Sequence, residues 1–164
     1  MATLISIRPR GERGQAIVEL ALTLPLLLLI VMGVFDFGLL FQRYEVVTNA
    51  AREGARLAVL PDYTPGEARL RVIDYLNAGG VPTGPSNLRA GPCTAGSEVP
   101  GGVCITVTPQ TTTISGTSPA KAVTEMVVTV EFDHQHFIGP IMQLFGGAGL
   151  VTTPLRSTSR MRVE

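Results

Sequence analysis

Between Leu20 and Phe41 the chain runs for 22 residues with 17 hydrophobic side chains and a single charge, Asp36. Coiled as an α-helix, such a run spans about 33 Å, against a bilayer hydrocarbon core of about 30 Å. A helix that is apolar on every face lies either in a bilayer or deep inside a large protein core. A chain of 164 residues has no core large enough to surround one. The run therefore reads as a membrane-spanning helix over about residues 20–41. Pro25 lies inside it, where the missing N–H and the clash with the preceding turn predict a kink or a loosened turn near Ala21–Pro25.

The flanks orient the span. Arg8, Arg10 and Arg13 precede it, opposed only by Glu12, whereas Arg43, Arg52 and Arg56 beyond it alternate with Glu45 and Glu53. Basic residues concentrate on the cytoplasmic side, so the N-terminus is expected in the cytoplasm and the C-terminal part outside it. A cleaved secretory signal shares the basic start and the apolar run. It fits less well, because the run exceeds an h-region of about 7–15 residues and no small-x-small site directly follows Phe41. The 13 Lys and Arg cancel the 13 Asp and Glu, leaving no basic excess for nucleic acid. With 45% hydrophobic residues, the chain is also too apolar for disorder.

Immediately before the apolar run stands Arg13-Gly14-Gln15-Ala16-Ile17-Val18-Glu19-Leu20. A glycine, four mostly apolar residues and a lone carboxylate at the mouth of a membrane helix resemble the N-terminus of type IV prepilins. With Leu24-Pro25, Asp36-Phe37-Gly38 and Ala50-Ala51-Arg52-Glu53-Gly54-Ala55-Arg56, the segment resembles the TadE-like family, pseudopilins of the tight-adherence (Tad) pilus system. The resemblance implies that a membrane prepilin peptidase cuts between Gly14 and Gln15 on the cytoplasmic side. Residues 1–14 would be the removed leader, and the apolar helix would be retained. A glycine at the scissile position lets an extended backbone enter a peptidase cleft. Glu19 would then sit within the bilayer, where a carboxylate costs about 2.5–3.5 kcal/mol on insertion scales. Pilin-like assembly implies the new α-amino group of a neighbouring subunit as its partner; the alternative is snorkelling to the cytoplasmic interface.

Asp36 falls late in the span, and an ionisable residue there is a functional-site hypothesis by default. It is expected either to pair with a cation on another subunit or to reach the outer headgroups. After Gln42 the pattern turns amphipathic, with Val46, Val47, Ala50, Gly54 and Ala58 at helical spacing up to Pro61, so one long helix is expected over residues 15–60. Ala50, Gly54 and Ala58 make a small-xxx-small ridge that admits a close neighbour. That neighbour is either a partner helix or, as we favour for this half of the helix, the protein's own sheet.

Residues 61–164 are expected to form a small extracytoplasmic domain. Thr64-Pro65-Gly66-Glu67 is a capping box with proline at the first helical position, opening a short second helix to Leu76 or Asn77. From Gly79 to Gly102, 11 of 24 residues are Gly or Pro, which predicts an irregular loop. Three alternating stretches follow, centred on Val103–Val107, Met126–Phe132 and Leu155–Val163, each with one apolar face. An antiparallel sheet of about three strands laid on the helices makes the fold class α+β. The apolar segment Phe137–Gly147 between the second and third strands is expected to be a core-covering turn; an exposed contact patch is the alternative.

Cys93 and Cys104, outside the cytoplasm, read as one structural disulfide closing the loop. His134 and His136, at alternate positions with Glu131 nearby, are the one cluster resembling chemistry. Two imidazoles do not define a coordination geometry, so no metal or other cofactor is expected, and a polar strand end is the simpler reading. No nucleophile elbow, phosphate-binding glycine loop or paired-carboxylate motif appears, and no enzyme is inferred. The expected role is that of a minor pilin or pseudopilin of a Tad-type pilus, contributing to pilus biogenesis and surface adhesion. Its implied partners are other pilins, the Tad assembly platform, the prepilin peptidase and membrane lipid, and it would be a single-pass membrane protein or part of an extracellular pilus. The alternatives are a single-pass envelope protein that never assembles and, behind it, a metal-binding ectodomain.

Overall fold

The computed structural model describes residues 12–93, 100–114, 121–144 and 151–163. The leader up to residue 11 and the end of the apolar turn, residues 145–147, lie outside the described residues. The elements follow in the order α1 (Glu12–Ala58), α2 (Pro65–Ala78), β1 (Val103–Ile114), β2 (Lys121–Gln135), α3 (Gly139–Leu144) and β3 (Thr152–Arg162). The long helix, the short second helix and the three-stranded antiparallel sheet are the α+β layout that the sequence predicts. The six-residue α3 is an addition. Its Gly-Pro start and brevity give no helical period to read.

The chain divides into two compact units, residues 1–35 and 36–164. In the first, the described residues are helical from Glu12, and every one from Gly14 to Gly33 is exposed except the half-buried Gly33 itself. Helix assignment continues through Pro25. The stretch is long and apolar enough to cross a membrane by length and composition.

In the second unit the sheet order is β1-β2-β3, both pairs antiparallel. Ile105 faces Val130, and Phe132 faces Leu155. The central strand alternates as a half-buried strand must: Met126, Val128, Val130 and Phe132 form the inner face with Val47, Ala50, Ala51 and Ala55 of α1 in one buried cluster. Helix α2 adds Ala68, Val72 and Leu76 to it. Its start is a full capping box, Thr64 Oγ1 accepting from the Glu67 N–H at 3.3 Å while the Thr64 N–H donates to Glu67 Oε2 at 2.7 Å. The Thr64 N–H and the Thr64 hydroxyl, which donates to Glu67 Oε2 at 2.8 Å, hold the Glu67 carboxyl below its ordinary range. It ends before Gly80, whose φ of 77° is one that glycine adopts without penalty.

The glycine-rich loop is fastened rather than free. Cys93 and Cys104 form a disulfide, joining the loop to the second residue of β1. Leu88 bridges Val103 in parallel, and the Arg89 N–H donates to the Val103 carbonyl at 2.8 Å. The Arg89 guanidinium donates to Glu131 Oε1 at 3.0 Å and lies 3.5 Å from Asp133 Oδ2. Both carboxylates belong to the outer face of β2 and are buried, and a buried charge needs a partner of this kind.

Candidate functional site

On the inner face of β2 the alternation continues past Phe132 to His134 and, just after the strand, His136. On α1, the stripe of Val47, Ala50, Gly54 and Ala58 extends back through Arg43 and Leu40 to Asp36, in steps of three and four residues that keep one helical face. The strand and helix faces meet, and two pairs of polar side chains, Asp36 with Arg43 and His134 with His136, come together at one end of the core from more than 90 residues apart in sequence.

The His136 Nδ1–H donates to Asp36 Oδ2 at 2.6 Å, and the Phe137 N–H donates to Asp36 Oδ1 at 3.0 Å. The Thr153 hydroxyl stands 2.8 Å from His136 Nε2. Arg43 donates through Nη1 to His134 Nδ1 at 2.9 Å, and its guanidinium carbon lies 5.5 Å above the centre of the Phe132 ring. The two imidazoles meet edge to face with centroids 4.9 Å apart. Asp36 is 2% exposed and His134 is fully buried. Burial is the main reason that His134 titrates far below an ordinary histidine, at about 4. The Arg43 and His136 charges push the same way, and Asp36 opposes them.

The placement of Asp36 corrects the expectation that it would seek a cation on another subunit or reach the headgroups. Its partners are within the chain. A carboxylate that would otherwise be stranded on an apolar helix is satisfied by an imidazole N–H and a backbone N–H, the arrangement that makes such burial tolerable.

Ligand atoms of Asp36, His134 and His136 lie within 4.8 Å of one another, so these are the residues that could hold a metal ion. The hydrogen bonds weigh against it. Arg43 occupies Nδ1 of His134 as a donor, which places the neutral ring's proton on Nε2, the nitrogen that stands 3.9 Å from Asp36 Oδ1. A metal-bound histidine presents a lone pair and donates its other N–H to an acceptor; here both nitrogens have the opposite assignment. The hydrogen bonds of the cluster tie β2 and the residues just after it to α1.

The remaining residues singled out in the sequence lie elsewhere. Gly14, Gln15 and Glu19 are exposed on the first turns of α1, and the Glu19 carbonyl accepts from the Thr23 hydroxyl at 2.9 Å. Ala50, Gly54 and Ala58 face the chain's own domain: a Cβ on Gly54 would lie 2.4 Å from Val72 Cγ2 and 3.3 Å from Val128 Cγ1. The apolar turn also departs from expectation in its described part. Phe137 is 69% exposed and Ile141 is 41% exposed, so these two cover no core. Asp36 holds the backbone at Phe137, and the exposed Gln135 and Pro140 flank it.

Arg43 and Arg89 are the two partners of buried polar groups that sequence reading missed. Arg43 could have been found from its place on the Ala50–Gly54 stripe. Arg89 lies in a loop with no period to place it.

Compared with known proteins, residues 14–56 match the family model described as TadE-like protein. No curated protein and no solved structure matches the chain. The matched residues run from the Gly14 motif to the last turn of α1 and include Asp36, Arg43 and, of the small-residue ridge, Ala50 and Gly54. Over residues 14–56, and there alone, the chain is similar to the TadE-like family.

Proposed function

We propose that the protein is a minor pilin or pseudopilin of a Tad-type pilus, an assembly subunit rather than an enzyme. It acts in pilus biogenesis and surface adhesion together with other pilins and the assembly platform. The observation that carries this reading is the TadE-like match, which begins at the glycine of the prepilin-like motif and covers an apolar stretch whose residues are exposed from Gly14 to Met32. A helix exposed on all sides from Ile17 to Met32 requires lipid before assembly and neighbouring helices after it. The disulfide supports an extracytoplasmic domain, since such bonds persist in oxidising compartments.

In this reading the prepilin peptidase removes residues 1–14, and Glu19 meets the new terminus of a neighbouring subunit. Among the described residues nothing lies within 4 Å of a Cβ added at Gly14, so a bulky residue there tests processing without overpacking them. Co-expressed with a prepilin peptidase, the wild-type chain should shorten by its leader, and Gly14→Phe should stay full length. A wild-type chain left uncut beside an active peptidase would overturn the reading.

A further inference from the structure

The apolar run ends at Phe41, yet its last six residues, Asp36–Phe41, belong to the same compact unit as the sheet. Along the helix Asp36 lies about 7 Å before Phe41. A bilayer that takes up the whole run therefore brings Asp36, and whatever is bonded to it, below the level at which the apolar residues end. What is bonded to Asp36 is the backbone of Phe137, the start of the apolar turn. Phe137, Pro140 and Ile141 are exposed there, as are Phe37 and Phe41 one turn apart on α1.

Beside them a cavity of about 290 Å³ is lined by Arg43, Gln135, His136, Phe137 and Pro140. A cation and an amide thus stand next to an aromatic ring and a proline, the mixture that suits the boundary between headgroups and acyl chains. The Asp36 carboxylate is already satisfied at this depth, accepting from His136 and Phe137, and Thr153 stands against the other ring nitrogen of His136.

We propose that the turn Phe137–Ile141 inserts into the outer-leaflet interface of the phospholipid bilayer as a second, monotopic membrane contact, pinned at its depth by Asp36. The proposal rests on the membrane-spanning reading of residues 20–41. It makes the buried Asp36–His136 pair the post that holds the turn, and the lipid surface its occupant.

The chain has no tryptophan, so single tryptophans report depth without background. Phe137→Trp, Leu28→Trp and Tyr63→Trp are each reconstituted as the full chain in phosphatidylcholine vesicles. Quenching is then read with lipids brominated near the headgroup or deep in the acyl chain. All three positions are exposed and should tolerate the ring. Leu28→Trp should lose emission to the deep bromines, Phe137→Trp to the shallow ones, and Tyr63→Trp to neither. Quenching of Leu28→Trp without quenching of Phe137→Trp overturns the proposal and leaves the span intact, whether the Phe137→Trp ring is then open to aqueous acrylamide or shielded by a second copy. If Leu28→Trp also escapes, the span fails and the proposal with it.

Discussion

His134 is the residue whose environment departs furthest from its ordinary chemistry. It has no exposure to water, and the groups facing it are the Arg43 guanidinium on one nitrogen, His136 edge-on and the Asp36 carboxylate near the other. Burial, Arg43 and His136 lower its titration to about 4, from 6.5 in the unfolded chain. The native state therefore binds the proton less readily than the unfolded state. Its stabilising contribution is complete above pH 6.5 and is lost as pH falls toward 4. At 1.36 kcal/mol per unit, the loss amounts to about 3 kcal/mol. Denaturant melts of the full chain in detergent at pH 7.5 and pH 4.5 should show it. His134→Asn, which can still accept from Arg43 but does not titrate, should reduce that difference. An unchanged pH dependence in His134→Asn would mean that His134 does not carry it.

At the scale of elements, α1 and α2 approach through a glycine. A side chain at Gly54 meets Val72 at 2.4 Å, and Val72 is completely buried. Overpacking of this kind costs about 1–3 kcal/mol, more than the roughly 0.5 kcal/mol that replacing glycine in a helix interior returns for a β-branched residue. Gly54→Val should therefore destabilise the chain, and Val72→Ala should recover part of the loss in a double-mutant cycle. Equal melting midpoints for Gly54→Val and wild type would show that the helices do not meet there. Much of this layer was legible beforehand. The three-and-four spacing from Val47 to Ala58 and the two-residue alternation from Met126 to Phe132 each declare a buried face. The same two periods, carried further, reach Asp36 and His134. Their meeting was not legible, because a period says which face is buried but not which residues of two faces stand opposite each other. Arg89 and α3 escaped for a simpler reason: one lies in an aperiodic loop and the other spans six residues.

For the whole molecule, the division at Asp36 separates an apolar helix whose described residues are exposed from Gly14 to Met32 from a domain with its own buried core, paired carboxylates and fastened loop. Such a pairing of a bare apolar helix with a self-sufficient domain suits a subunit stored in a membrane and recruited through its helix. Storage and recruitment differ in one covalent detail, the bond between Gly14 and Gln15, and its state in the cell tests the pilus reading most directly. The decisive measurement is the intact mass of the native protein from cells with and without their prepilin peptidase. A chain comprising residues 15–164 is expected when the peptidase is present, and the uncut chain when it is deleted. A protein that retains residues 1–14 in both strains would contradict it.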